Sequence, residues 1–232
     1  MKAYIYNDNF NNYKNYNLEK AKLIITDIPY CIGTDAYASN PQWWKNENIK
    51  EGYSNKADSE FFKNDKEFNI DNFLKFCQDN LQENGSVIVF CSYIQQFEII
   101  NKMKSYGFNK YIPLVFIKNN SAEVLKVNMR IVGACEYGLQ LIKTKLPEFY
   151  NNKRMIKNWF NFERISKKLH PNQKPINLIK EFIELFTLPE DYVIDCCLGS
   201  GTTYYACKEL DRNFIGFEIL EEYYKLYESE VI

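Results

Sequence analysis

The stretch Val193-Ile194-Asp195-Cys196-Cys197-Leu198-Gly199-Ser200-Gly201-Thr202-Thr203 decides the fold. An apolar run ending in an acid, a glycine-rich turn and the start of a helical pattern read as strand, turn and helix. Asn213-Phe214-Ile215-Gly216-Phe217-Glu218 follows as a second strand, closed by an acidic residue. Glycines let a backbone approach a ligand closely, and a carboxylate ending the second strand accepts hydrogen bonds from ribose hydroxyls. No third glycine completes the dinucleotide pattern, so a nucleoside without a pyrophosphate fits better. Taken alone, the two glycines also suit a tight strand-to-helix turn with no ligand.

Outward from this stretch, strands and helices alternate. Leu23-Ile24-Ile25-Thr26 is a continuous apolar run, as in a strand buried on both faces. Asp71 reads as a helix N-cap, followed by Phe73, Leu74, Cys77 and Leu81 at helical spacing, with Gly85 as the stop. Ser86 to Cys91 is the next strand, and Tyr93 to Tyr106 a helix closed by Gly107. Leu114 to Ile117 and Tyr137 to Ile142 read as strands. Pro175 opens a helix with Ile179, Phe182, Ile183 and Phe186 on one face. The helix after the glycine turn covers about Thr202 to Leu210. This alternation predicts an α/β fold with a doubly wound, mostly parallel Rossmann-like sheet. The segments 31–69 and 146–169 carry no clear pattern.

At 232 residues, the chain suits one domain rather than two. Hydrophobic residues at 46% and charged residues at 25% exclude disorder and collagen-like repeats. No apolar run reaches the roughly 18 residues of a membrane span. The N-terminus lacks a secretion signal, so a cytoplasmic protein is expected. Seven cysteines form no C-x-x-C pair and His170 is the sole histidine, so neither a disulfide framework nor a metal site is expected. Net charge is −1, yet basic residues crowd the stretch from Lys143 to Lys174 while acids dominate the end of the chain. A near-neutral total thus conceals a cationic stretch, suited either to a polyanion or to a solvated loop.

Two further motifs complete the set. Asp27-Ile28-Pro29-Tyr30 stands at the carboxyl end of the apolar strand, where open α/β sheets bind ligands. His170-Pro171-Asn172-Gln173-Lys174-Pro175 leads into a helix whose N-terminus suits a carboxylate. Together and in this order, the motifs resemble the amino-group DNA methyltransferases of the circularly permuted β group. There a (D/N/S)-P-P-Y target motif comes first, an H-P-T-Q-K-P-like segment follows, and D-P-F-x-G-S-G-T-T and an acid-ending strand come last. Tyr6-Asn7-Asp8 matches an early strand ending in Asp. Two positions depart from the pattern: Ile28 replaces the first proline, and Cys196-Cys197 replace Pro-Phe. Isoleucine still offers the carbonyl acceptor, but frees φ and adds an N–H.

The resemblance implies S-adenosylmethionine as cofactor, held by Asp8, Lys174, Asp195, Gly199, Gly201, Thr202 and Glu218. It implies Asp27, Ile28, Pro29 and Tyr30 as the catalytic set, acting on a base flipped from double-stranded DNA. A single catalytic domain spanning 1–232 is expected, with a short target-recognition insert at about 143–169. Lys153, Arg154, Lys157, Lys167 and Lys168 of that insert are expected on phosphates. Trp43, Trp44 and Tyr53 suit DNA contact, a lid or core equally. Asp at the first motif position leans toward N6-adenine over N4-cytosine. RNA methylation and a non-catalytic nucleoside-binding module are the remaining alternatives. No Pro-Cys dipeptide is present for C5-cytosine chemistry. Either a monomer or a homodimer is compatible with the sequence.

Overall fold

A computed structural model describes residues 1–31, 68–118, 134–150, 155–162 and 173–227. Eight strands form one sheet: β1 (Ala3–Tyr6), β2 (Ala21–Asp27), β3 (Leu81–Cys91), β4 (Lys110–Lys118), β5 (Cys135–Ile142), β6 (Trp159–Phe162), β7 (Tyr192–Asp195) and β8 (Asn213–Phe217). Their spatial order is β1-β8-β7-β2-β3-β5-β4-β6. All pairings are parallel except those of β5 with β3 and β4.

Helices α1 (Ile70–Asn80), α2 (Tyr93–Lys102), α3 (Ile176–Phe186) and α4 (Thr202–Glu209) and the single turn α5 (Glu221–Tyr224) follow the strands. Two hydrophobic cores cover opposite sheet faces. Leu23 and Ile25 face the core built with Phe182, Ile183 and Tyr204, whereas Ile24 faces Phe73, Leu74 and Cys77. The sheet is therefore doubly wound, and its central strands are apolar on both sides because both sides are covered.

Several boundaries differ from the sequence reading. Asn69 caps α1, accepting from the Asn72 amide at 3.0 Å, and Asp71 lies inside the first turn. Gly85 does not stop that helix; it lies within β3, which begins at Leu81. The helix ends earlier because the buried Lys143 ammonium donates to the Gln78 and Leu81 carbonyls, at 3.0 and 2.8 Å. That lysine satisfies helix-end acceptors and is withdrawn from any cationic face. The segment expected as an insert contributes β6, which pairs with β4 and buries Phe160 and Phe162. Part of it is thus an edge strand of the sheet.

Because β5 runs antiparallel between β3 and β4, its first residues lie at the edge where the parallel strands end. Gly138 permits the close approach, since a Cβ there would fall 2.6 Å from the Val89 carbonyl. The ends of β1, β8, β7, β2 and β3 and the start of β5 therefore share one rim. At its centre β7 and β2 are neighbours, and the chain leaves them in opposite directions. Such a switch point is where open α/β sheets open a crevice.

Candidate active site

Two carboxylates meet at the switch point. Asp195, ending β7, is 3% exposed and anchors the glycine turn. Its Oδ1 accepts from the Thr26 hydroxyl at 2.8 Å and the Cys197 amide at 3.1 Å; its Oδ2 accepts from the Thr203 hydroxyl at 2.6 Å. Burial raises its pKa while these donors oppose the rise. Thr26 immediately precedes Asp27, so one hydroxyl joins the glycine-turn strand to the Asp-Ile-Pro-Tyr strand. Sequence reasoning missed this role, although Thr26 is the one hydroxyl in an otherwise apolar run.

Gly199 and Gly201 adopt left-handed φ angles of 52° and 75°. A Cβ at Gly201 would come 2.5 Å from the Tyr227 ring, so conformation and space both exclude a side chain there. The fully buried Tyr227 donates its hydroxyl to the Gly199 carbonyl, bracing the turn. Glu218 lies just past β8 and is buried. Its Oε2 accepts from the Gly199 amide at 2.7 Å and its Oε1 from the Leu220 amide at 2.8 Å. Burial raises the Glu218 pKa and these amides hold it back. Thr202 opens α4 beside Ser200, their hydroxyls 3.2 Å apart. Asp8 lies past β1, accepting from Asn12 at 2.7 Å and Tyr16 at 2.8 Å, which lowers its pKa. Tyr6 and Tyr16 stack beside it with centroids 4.0 Å apart.

Hydrogen bonds from neighbouring elements hold the Asp-Ile-Pro-Tyr motif in place. The N–H that isoleucine adds at position 28 donates to the Phe90 carbonyl at 3.2 Å, extending the β2–β3 ladder. The stiffness lost with proline is thus replaced by a hydrogen bond and by burial of the Ile28 side chain. The Pro29 carbonyl accepts from the buried Gln95 amide at 2.8 Å. Gln95 also completes a capping box with Ser92 at the start of α2.

Asp27 is differently placed from Asp195. Its Oδ2 is 2.5 Å from the Lys174 ammonium. Its Oδ1 is buried and has no hydrogen-bond partner. Burial pushes its pKa up to about 6, with Glu136 adding to the rise and Lys174 and the Tyr30 hydroxyl opposing it. Lys174, expected on the cofactor, makes its contact here with this carboxylate. Pro175 caps α3 and so fixes the preceding residue at the rim. Its ammonium also lies 3.2 Å from Glu136 and over the Tyr30 and Phe90 rings. Glu136, near the start of β5, carried no motif and was missed.

Of the residues expected on DNA, Lys157 is exposed and lies over the Trp159 ring at 4.9 Å. Lys153, Arg154, Lys167 and Lys168 lie outside the described residues, as do His170, Trp43, Trp44 and Tyr53. Among the described residues, no helix is long and apolar enough to cross a membrane.

Comparison with known proteins places these features in context. A family profile described as DNA methylase matches residues 21–229. The YubD protein of Escherichia coli is 27% identical over 62% of this chain and 61% of its own length. Type II methyltransferase M2.DpnII of Streptococcus pneumoniae is 24% identical, over 96% of this chain and 86% of that one. The crystal structure of an M1.HpyAVI–SAM complex is 26% identical, with a TM-score of 0.71 over 99% of this chain and 100% of that one.

Proposed function

The chain belongs to the DNA methylase family, and we propose that it methylates the exocyclic N6 amine of adenine in double-stranded DNA. The methyl donor is S-adenosylmethionine, as in the similar M1.HpyAVI complex. When bound, it supplies an electrophilic methyl group on a sulfonium.

The residues at the glycine turn fit that donor. Glu218 is a buried carboxylate held by backbone amides, with lone pairs left for ribose hydroxyls. Gly199, Gly201 and Thr202 would form the surface that holds the donor, and Asp8 would accept from its adenine amine. Asp195 shapes the turn through its three internal hydrogen bonds.

The observation that carries the reading is the unpartnered Oδ1 of Asp27. An exocyclic amine is a poor nucleophile because its lone pair is delocalised into the ring. Asp27 Oδ1 accepts one N–H and the Ile28 carbonyl the other, which localises the lone pair toward the methyl group. Tyr30 stacks on the flipped base. As the nitrogen acquires the methyl group, the methyl–sulfur bond breaks to leave a neutral thioether, and one nitrogen proton passes to Asp27 Oδ1. The catalysis is orientation plus electrostatics and needs no covalent intermediate. The choice of adenine over cytosine rests on the resemblance, in which Asp at the first motif position leans toward adenine and Ser toward cytosine. The carboxylate chemistry itself serves either base. The 1–232 chain then works as one catalytic domain, with Lys157 and its cationic neighbours on phosphates. Nucleoside analysis of DNA treated with the purified protein and S-adenosylmethionine tests this: N6-methyladenine is expected, and N4-methylcytosine in its place overturns the choice of base.

A further inference from the structure

Four charges of alternating sign run inward along the rim. Lys118, at the end of β4, pairs with Glu136 Oε1. Glu136 Oε2 lies 3.2 Å from Lys174, and Lys174 lies 2.5 Å from Asp27 Oδ2. The Tyr30 hydroxyl donates to Glu136 Oε2 at 3.4 Å. Lys174 is 6% exposed and the Glu136 side chain 16%. Burying such charges costs more than filling the same space with apolar side chains, so stability alone does not explain them. They make sense through what they leave at the end of the row: one Asp27 oxygen clamped, the other buried without a partner.

We infer that Glu136 is a positioning residue, which shares the Lys174 ammonium with Asp27 and thereby sets how strongly Asp27 accepts the target amine. The inference rests on the reading of Asp27 as the amine's acceptor. Lys174 has two carboxylates to satisfy. Without Glu136 the ammonium turns wholly to Asp27, which becomes a weaker acceptor; without Lys118, Glu136 draws the ammonium away and Asp27 becomes more basic. The other groups facing Asp27 are Tyr30, from the loop after β2, and Cys91, at the end of β3. Asp195 on β7 also interacts electrostatically with Lys174.

The test is the pH dependence of single-turnover methyl transfer from S-adenosylmethionine to duplex DNA, at saturating cofactor and DNA. Replacing Glu136 removes a negative neighbour and frees Lys174 for Asp27, and both effects lower the Asp27 pKa. In Glu136→Gln the acid limb is expected to move down by about one pH unit and the plateau rate to fall about tenfold. Glu136→Asp should restore both in part. Lys118→Met should move the limb the opposite way, to higher pH, and carries the test alone if Glu136→Gln does not fold. A folded Glu136→Gln or Lys118→Met protein with the parental limb overturns the inference. Asp27→Ala separates the two levels. Transfer surviving in that variant defeats the reading of Asp27 itself, and with it the inference. Transfer lost there but unmoved limbs in the other variants defeat the role of Glu136 alone.

Discussion

The two carboxylates at the switch point sit on adjacent strands and serve opposite ends. Asp195 accepts from Thr26, Thr203 and the Cys197 amide, all supplied by its own fold. Asp27 is clamped on one oxygen by a buried ammonium and left without a partner on the other. Satisfied groups hold a shape, while unsatisfied ones are poised to accept something from outside. The glycine turn is thus a finished cradle, and the Asp-Ile-Pro-Tyr corner is completed by its substrate.

Breaking the open corner should have the largest effect. Asp27→Ala is expected to slow methyl transfer by about 100- to 1000-fold, the scale of losing one preorganised transition-state contact. Cofactor affinity, measured by calorimetry, should stay nearly intact, because the lost interaction belongs to the base. Comparable losses in binding and rate would merge the two corners into one.

Breaking the finished corner should be read in stability instead. Thr203→Val removes a 2.6 Å bond to a buried carboxylate and should cost about 1–3 kcal/mol. Thermal unfolding should show it as a drop of several degrees, at roughly 2–4 °C per kcal/mol for a chain this size. An unchanged melting temperature would mean that Asp195 is not held as described.

The smallest effect is expected at Ile28→Pro, which restores the family's own residue. It loses the 3.2 Å bond to the Phe90 carbonyl and part of a buried side chain. A stiffer unfolded chain does not offset the loss of a hydrogen-bonded N–H, so a destabilisation of about 1–2 kcal/mol is expected. Denaturant unfolding should show the variant modestly less stable than the parent. A loss of several kcal/mol would mean that the isoleucine is built into the core more deeply than its amide implies.

The contrast between the corners also explains what the sequence made legible. The glycine turn and its flanking strands are local: β7 runs Tyr192–Asp195 as read, and β8 stops one residue short of the expected Glu218. Ile28 was recognised as a departure, but its compensation depends on Phe90, from another strand. Glu136 was invisible because its partners Lys118, Lys174 and Asp27 come from three distant segments. Lys174 stood out in its motif, but its contact with Asp27 could not be read there, since a motif does not show what a residue faces. Gly85 failed as a helix stop for a similar reason: the helix end is set by Lys143, from the far side of β5. The short strand β6 gave no pattern at all, its four residues being too few to establish a period.

The claim that ionised Asp27 accepts the target amine is tested most directly by the pH dependence of single-turnover methyl transfer in the unaltered protein. Burial pushes the Asp27 pKa up to about 6. Below that value the carboxyl is protonated and loses its capacity to receive both the N–H bond and the departing proton. The rate should therefore climb about tenfold per pH unit below 6 and level off above it. A rate that stays flat from about pH 5 to pH 8, with the protein folded and cofactor bound throughout, would contradict the account.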